Sequence, residues 1–330
     1  MVSLFVILDS SGYVMSLFTL DGMTVGGYAT VAYFILFSNS AHFASSTLRM
    51  YTMEGHAETW PFLTMAFPLV VLAVLTFGML VPGDVGPPLQ ALYLTWSPYH
   101  YAAQSYGLAV MYCYRSGCLL NAEDKRLLYI VAMVPFAFSF LVQTGGGRTG
   151  LPWLLPFDLM AQPWWQFALT VIEPTLTVAV FVLPLLLMWR LARSSTGAMP
   201  LISLLIVLSN AVWWFVLAPI NAFLLATVFH GIQYLSVVIV FHVRDQRARP
   251  DNTHGALWHA VTFYGACFAL GYGLFHVAPQ AFVLLGFGVV ESFLLCGASI
   301  NIHHFIVDAF IWKLGKGSSN RRIVDAGAPA

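Results

Sequence analysis

Charged side chains are so sparse in this chain that apolar runs follow one another along most of its length. Asp, Glu, Lys and Arg make up 8% of the 330 residues and apolar types 59%, whereas soluble domains carry roughly 25% charged residues. A run of about 20 apolar residues is long enough to cross a bilayer as a helix. The sequence therefore predicts an all-α, polytopic integral membrane protein.

Composition also argues against two classes of protein. The formal net charge is zero, so the bulk charge does not suggest nucleic-acid binding. The four cysteines are scattered, mostly within apolar runs: Cys113, Cys118, Cys267 and Cys296. Such a pattern is typical of small buried apolar residues rather than of a disulfide framework.

Nine membrane spans are predicted, at residues 24–48, 61–81, 88–114, 126–144, 166–189, 199–217, 221–243, 256–276 and 279–312. Residues 1–22 are expected to lie in the interface, and the segment Leu151–Trp165 resembles an interfacial lid. Residues 314–330 would form a cytoplasmic tail. The whole chain, 1–330, is expected to be a single transmembrane domain.

The basic residues predict the orientation of these spans. With nine spans, every Lys and Arg except Arg148 falls on one side of the membrane. The positive-inside rule makes that side cytoplasmic. The N-terminus is therefore expected outside and the C-terminus inside, and the expected location is a bacterial inner (cytoplasmic) membrane.

The candidate metal-ligating histidines lie within four predicted spans, all of which run from outside to inside. They are His42, His100, His230 and the pair His303–His304. The first three have polar residues at helical spacing: Asn39 and Ser46 for His42, Gln104 for His100, Gln233 and Tyr234 for His230. Such neighbours can hold the second ring nitrogen of a metal-bound imidazole. They can equally satisfy a structural histidine, so both interpretations stand.

A histidine-rich, thiol-free set of ligands suits iron, copper or zinc. The last span adds a carboxylate, because Asp308 is four residues after His304 and shares its helix face. His303 points about 100° away from that face. The sequence leaves open which of the two histidines faces the site.

A family resemblance is carried by four short patches: Asn39–Phe43, Tyr99–Tyr101, Phe229–Tyr234 and His303–Trp312. They resemble the Brp/Blh-like membrane proteins, which include bacterial β-carotene dioxygenases. The family histidines are thought to bind non-haem iron, so the resemblance implies His42, His100 and His230 as ligands, completed by His303 or His304. It favours His303 as the inward residue. Tyr234 stands where the family has the second histidine of a pair.

The leading hypothesis is a membrane-embedded non-haem iron oxygenase acting on an apolar carotenoid- or lipid-like substrate. Tyr234 and Asp308 are the candidate catalytic residues. The cavity would be lined or closed by four aromatic side chains: Tyr99, Tyr101, Tyr234 and Trp312.

Two alternatives belong to other classes. The first is a b-type haem protein for electron transfer, in which His100 and His230 would be the axial ligands. The second is a proton-coupled transporter, in which the histidines would relay protons together with Glu173, Glu291 and Asp308. Transporters often carry inverted repeats, and no internal repeat is evident in this sequence.

Overall fold

A computed structural model describes residues 35–52, 56–143, 161–193, 197–216 and 219–312. Within these ranges the chain forms eleven α-helices and no strand: α1 Ala41–Thr52, α2 His56–Thr59, α3 Phe67–Leu80, α4 Pro82–Arg115, α5 Ala122–Phe138, α6 Pro163–Arg193, α7 Leu201–Val216, α8 Pro219–Arg247, α9 Ala256–Tyr272, α10 Ala278–Leu284 and α11 Val289–Ile311. Four π-helical segments adjoin them: Ile35–Ser40, Phe62–Ala66, Ser139–Gln143 and Gly273–Val277.

Six helical stretches in the described residues are long and apolar enough to cross a membrane. They are Phe62–Leu80, Ala122–Val142, Pro163–Arg193, Ala222–Arg247, Ala256–Leu284 and Val289–Ile311. The prediction of an all-helical membrane protein is confirmed at this level. The count of nine spans and the orientation of the termini stay predictions. The expected interfacial segment, most of the lid and the cytoplasmic tail lie outside the described residues.

The boundary between the last two spans differs from the one predicted. The sequence placed it at residues 277–278, whereas helical structure continues to Leu284 and α11 begins only at Val289. Gly286 ends the earlier helix with a φ of 97°, and the Phe287 N–H donates to the Phe282 carbonyl at 3.2 Å. A glycine in the left-handed region is the usual way to close a helix C-terminus. The predicted ninth span was too long because it crossed this turn.

The chain divides into two compact units. Unit 1 comprises Met1–Tyr93 with Thr227–Ile311, and unit 2 comprises Leu94–Ala226 with Trp312–Ala330. The prediction of a single domain over residues 1–330 stays a prediction.

In unit 1, α11 packs against α1, α3 and α10. Leu75 and Met79 of α3 meet Leu295 and Cys296 of α11 in a buried apolar cluster. Near this cluster, the Gln90 side-chain amide donates to the Leu294 carbonyl at 2.8 Å. Buried apolar contacts together with a satisfied polar group fix α11, the helix that carries His303, His304 and Asp308.

In unit 2, α5 packs against α6 and α7. The Ser203 hydroxyl of α7 donates to the Ala109 carbonyl at 2.8 Å. Arg190, near the end of α6, pairs with Glu123 at 2.8 Å and Asp124 at 3.0 Å in the first turn of α5.

Cysteines 113, 118, 267 and 296 are free and buried, so the prediction that they form no disulfide framework is confirmed.

Candidate metal centre

Three helices of unit 1 each bring one buried histidine to the same place. His42 is the second residue of α1, His230 lies in the middle of α8 and His304 lies in the second half of α11. The exposed fractions of these residues are 0%, 2% and 0%. One ring nitrogen of each lies within 4.8 Å of one from each of the others. We refer to these three residues as the histidine triad.

The rings of the triad lie close together. The Nε2 atoms of His42 and His230 are 3.1 Å apart. The ring centroid of His42 lies 4.6 Å from that of His230 and 4.3 Å from that of His304, with steep angles between the planes. Two imidazole nitrogens about 2.1 Å from one ion, at an angle of about 90–109°, are about 3.0–3.4 Å apart. The 3.1 Å separation fits such a pair of neighbouring ligands.

A hydrogen bond between two neutral imidazoles also fits 3.1 Å, with one Nε2 donating and the other accepting. That arrangement accounts for His42 and His230. It gives no reason for His304 to place a nitrogen within 4.8 Å of both. A set of three convergent, thiol-free nitrogen donors can hold a transition-metal ion.

His304 has a polar group near each ring nitrogen. Its Nδ1 is 2.7 Å from the Ser46 hydroxyl of α1, and its Nε2 is 3.7 Å from Asp308 Oδ2 on its own helix. The Tyr234 hydroxyl of α8 donates a short hydrogen bond to Asp308 Oδ1. The candidate catalytic residues Tyr234 and Asp308 are therefore in direct contact with each other, and Asp308 is beside the triad.

The sequence grouped Ser46 with His42, because the two are four residues apart on one helix. In the structure its hydroxyl reaches across to His304 instead. Helical spacing reveals only neighbours on the same helix. No pattern within the sequence could identify a partner 258 positions away.

His303 does not join the triad. Its ring stacks on Phe67 of α3, with the centroids 5.1 Å apart and the planes 10° from parallel. The resemblance favoured His303 as the inward residue, and the structure places His304 there instead. The correction follows from the 100° step per helical residue: only one of two adjacent histidines can face the point that α1 and α8 also face.

Three further residues named from the sequence, Tyr99, His100 and Tyr101, belong to unit 2. The role of His100 as a ligand stays a prediction. In unit 2, Tyr101 packs with Trp213 and Trp214, and the ring of Tyr99 contacts that of Phe136. The suggested role of the aromatic residues in lining a cavity also stays a prediction.

The backbone before His42 is packed unusually closely. It forms the π-helical segment Ile35–Ser40, a type of helix found often at functional sites. A Cβ added to Gly231, the neighbour of His230, would lie 3.4 Å from the Ser38 carbonyl. A Cβ added to Gly271 of α9 would lie 2.5 Å from the Ser40 carbonyl carbon. Small residues allow membrane helices to approach this closely. The sequence analysis missed both glycines, although small residues within an apolar helix are a recognised signal of such contacts.

Comparisons of the chain with protein-family models, curated proteins and solved structures found no match.

Proposed function

We propose that the histidine triad binds one non-haem iron ion and that the protein is a membrane-embedded oxygenase acting on an apolar, carotenoid- or lipid-like substrate. One observation carries the proposal: three buried imidazoles from three helices converge within 4.8 Å in unit 1. Buried polar side chains in a membrane protein are costly and mark functional sites.

Nitrogen donors with a nearby carboxylate favour iron among the candidate metals. The triad supplies only imidazole nitrogen, and Asp308 supplies an oxygen donor 3.7 Å from His304. Histidine combined with carboxylate is a frequent ligand set of non-haem iron oxygenases. The resemblance of Asn39–Phe43, Phe229–Tyr234 and His303–Trp312 to the Brp/Blh-like proteins supports the same metal.

Iron, when bound, supplies the redox chemistry that a reaction with dioxygen needs. The side chains around the triad would control polarity and protons. The Tyr234 hydroxyl donates a hydrogen bond to Asp308 and so holds its carboxylate in place beside His304. The Phe43 ring packs against that of His304, with the centroids 4.8 Å apart. Such apolar walls suit a hydrophobic substrate and exclude water.

The geometry of His42 and His230 argues against a haem between these two residues, whereas the axial pair named from the sequence, His100 and His230, stays a prediction. Two axial ligands of one haem iron lie on opposite sides of the macrocycle, which places their nitrogens about 4 Å and their ring centres about 6 Å apart. The corresponding distances are 3.1 Å and 4.6 Å. These rings would have to separate before a macrocycle could enter.

We also propose nine spans, with the N-terminus outside and the C-terminus in the cytoplasm of a bacterium. The distribution of Lys and Arg supports this topology, because only Arg148 would face outwards. The same asymmetry supports a location in the inner membrane.

Elemental analysis and optical spectroscopy of protein purified in mild detergent test the proposal. We expect about one iron per chain and no Soret band. Addition of β-carotene in detergent should give oxygen uptake together with loss of the polyene absorbance. A stoichiometric Soret band, or protein free of metal after gentle anaerobic purification, would contradict the proposal.

Ser46→Ala is expected to weaken metal binding about 10–100-fold, the usual cost of losing a group that orients a metal-bound histidine. The reason is that its hydroxyl is 2.7 Å from Nδ1 of His304, a contact that fixes the orientation of the ring. Competition with a chelator measures the affinity, and Ser46→Thr should retain most of it.

Ser45→Ala is the matched control. Ser45 is equally buried and adjacent, but its hydroxyl donates to the His42 carbonyl of its own helix at 2.7 Å. Equal affinities in the two alanine variants would show that the Ser46–His304 contact does not support the metal.

A further inference from the structure

A groove in unit 1 lies away from the triad, where α8 ends and α9 begins. It has a volume of about 760 Å³, within the range of roughly 300–1,000 Å³ that is typical of small-molecule sites. Its lining consists of Ile239, Val240, Val243, Arg244, Arg247, Ala248, Ala256, Leu257 and Ala260. The walls are therefore apolar except for two arginines, and no acidic residue is among those that line the groove.

The two arginines differ from their basic neighbours. Arg49 pairs with Asp245 at 2.6 Å, and Arg249 donates to the Thr52 carbonyl at 3.1 Å. Arg244 and Arg247 are exposed. Neither takes part in the ion pairs formed among the residues that the structure describes. They are three positions apart on α8, so both guanidinium groups lie on the same side of that helix.

The surroundings place the groove across the boundary between hydrocarbon and headgroups. Val240 and Leu257 are 56% and 78% exposed, which is unfavourable in water and expected in lipid. Trp258, beside Leu257, is 56% exposed, and tryptophan is enriched where membrane meets water. Arginines at the end of a membrane helix reach the phosphate level.

We propose that this groove is a binding site for an anionic phospholipid. Arg244 and Arg247 bind the phosphate of the headgroup, and an acyl chain lies against Val240, Val243 and Leu257. Basic pockets between membrane helices bind anionic headgroups by this combination of charge and apolar contact. Arginine also suits phosphate because its planar group can donate two parallel hydrogen bonds. The site is independent of the metal centre.

Native mass spectrometry in detergent with added phosphatidylglycerol or phosphatidylcholine tests the proposal. The wild type should retain phosphatidylglycerol in preference to phosphatidylcholine. The double variant R244Q/R247Q should bind phosphatidylglycerol roughly 30-fold more weakly, since each basic residue near the headgroups contributes a factor of about five. Inorganic phosphate should not compete at millimolar concentration, because it lacks the acyl chain.

The double variant R115Q/R126Q is the matched control. It removes the same charge from two exposed arginines of unit 2, and its lipid binding should equal that of the wild type. A260W fills the groove without changing its charge, and this variant should also lose the lipid. It therefore provides a second test if R244Q/R247Q does not fold. Equal retention of the two lipids by the wild type, or equal losses in both double variants, would overturn the proposal.

Discussion

His304→Ala is expected to remove most of the bound metal, whereas His303→Ala keeps wild-type metal content. The two residues are adjacent on α11, yet only His304 brings a ring nitrogen within 4.8 Å of His42 and His230. Loss of one imidazole from a three-histidine set opens the coordination sphere and leaves two ligands, too few for stable binding in a site of this kind. Metal content per chain, measured after purification in mild detergent, checks the prediction.

His303→Ala is a close control because it alters the same helix at nearly the same depth. Its ring contacts Phe67, so its removal affects packing and not the triad. His42→Ala and His230→Ala should behave as His304→Ala does. His100→Ala tests separately whether the fourth predicted ligand contributes. Wild-type metal content in the His304 variant would remove α11 from the site.

The sequence was sufficient to identify the types of side chain in the candidate site, but not to predict which of them lie together. Histidine is conspicuous within apolar runs because a buried imidazole needs a partner. For that reason five candidates could be selected without a structure: His42, His100, His230, His303 and His304. Whether they converge depends on the rotation of each helix about its own axis. That rotation is set by the packing between helices, and the residue spacing within one helix does not reveal which other helix it packs against.

The pair His303–His304 shows this limit most clearly. The spacing of His304 and Asp308 indicated a shared helix face, which their 3.7 Å separation now shows. The family resemblance pointed to His303 instead. In the structure, the contact between Asp308 and Tyr234 of α8 places the His304 face towards that helix.

The helix boundaries show a different limit. Apolar composition continues through residues 279–312, so hydropathy alone could not separate the end of α10 from the start of α11. The break depends on the backbone conformation of Gly286. A glycine within an apolar run is common in membrane helices, and its presence therefore did not predict a turn.

Gly271→Ala is expected to destabilise the protein severely and to lower its metal content. The new methyl group would lie 2.5 Å from the Ser40 carbonyl carbon and 3.1 Å from the Ala41 amide nitrogen. Both atoms are backbone, so no side-chain rotation relieves the clash, and α9 and the segment before His42 must move apart. Overpacking typically costs about 1–3 kcal/mol, and a backbone clash belongs at the upper end of that range.

Gly265→Ala on the same helix separates this clash from the effect of losing a glycine. No atom lies within 4 Å of a Cβ at position 265. Alanine is favoured over glycine in a helix by about 0.5–1 kcal/mol, so this variant should be as stable as the wild type or more stable. Thermal unfolding in detergent, followed by the loss of helical signal, compares the two. Equal unfolding temperatures of Gly271→Ala and Gly265→Ala would show that α9 does not need glycine to approach Ser40. Wild-type metal content in Gly271→Ala would show that this close approach does not position His42.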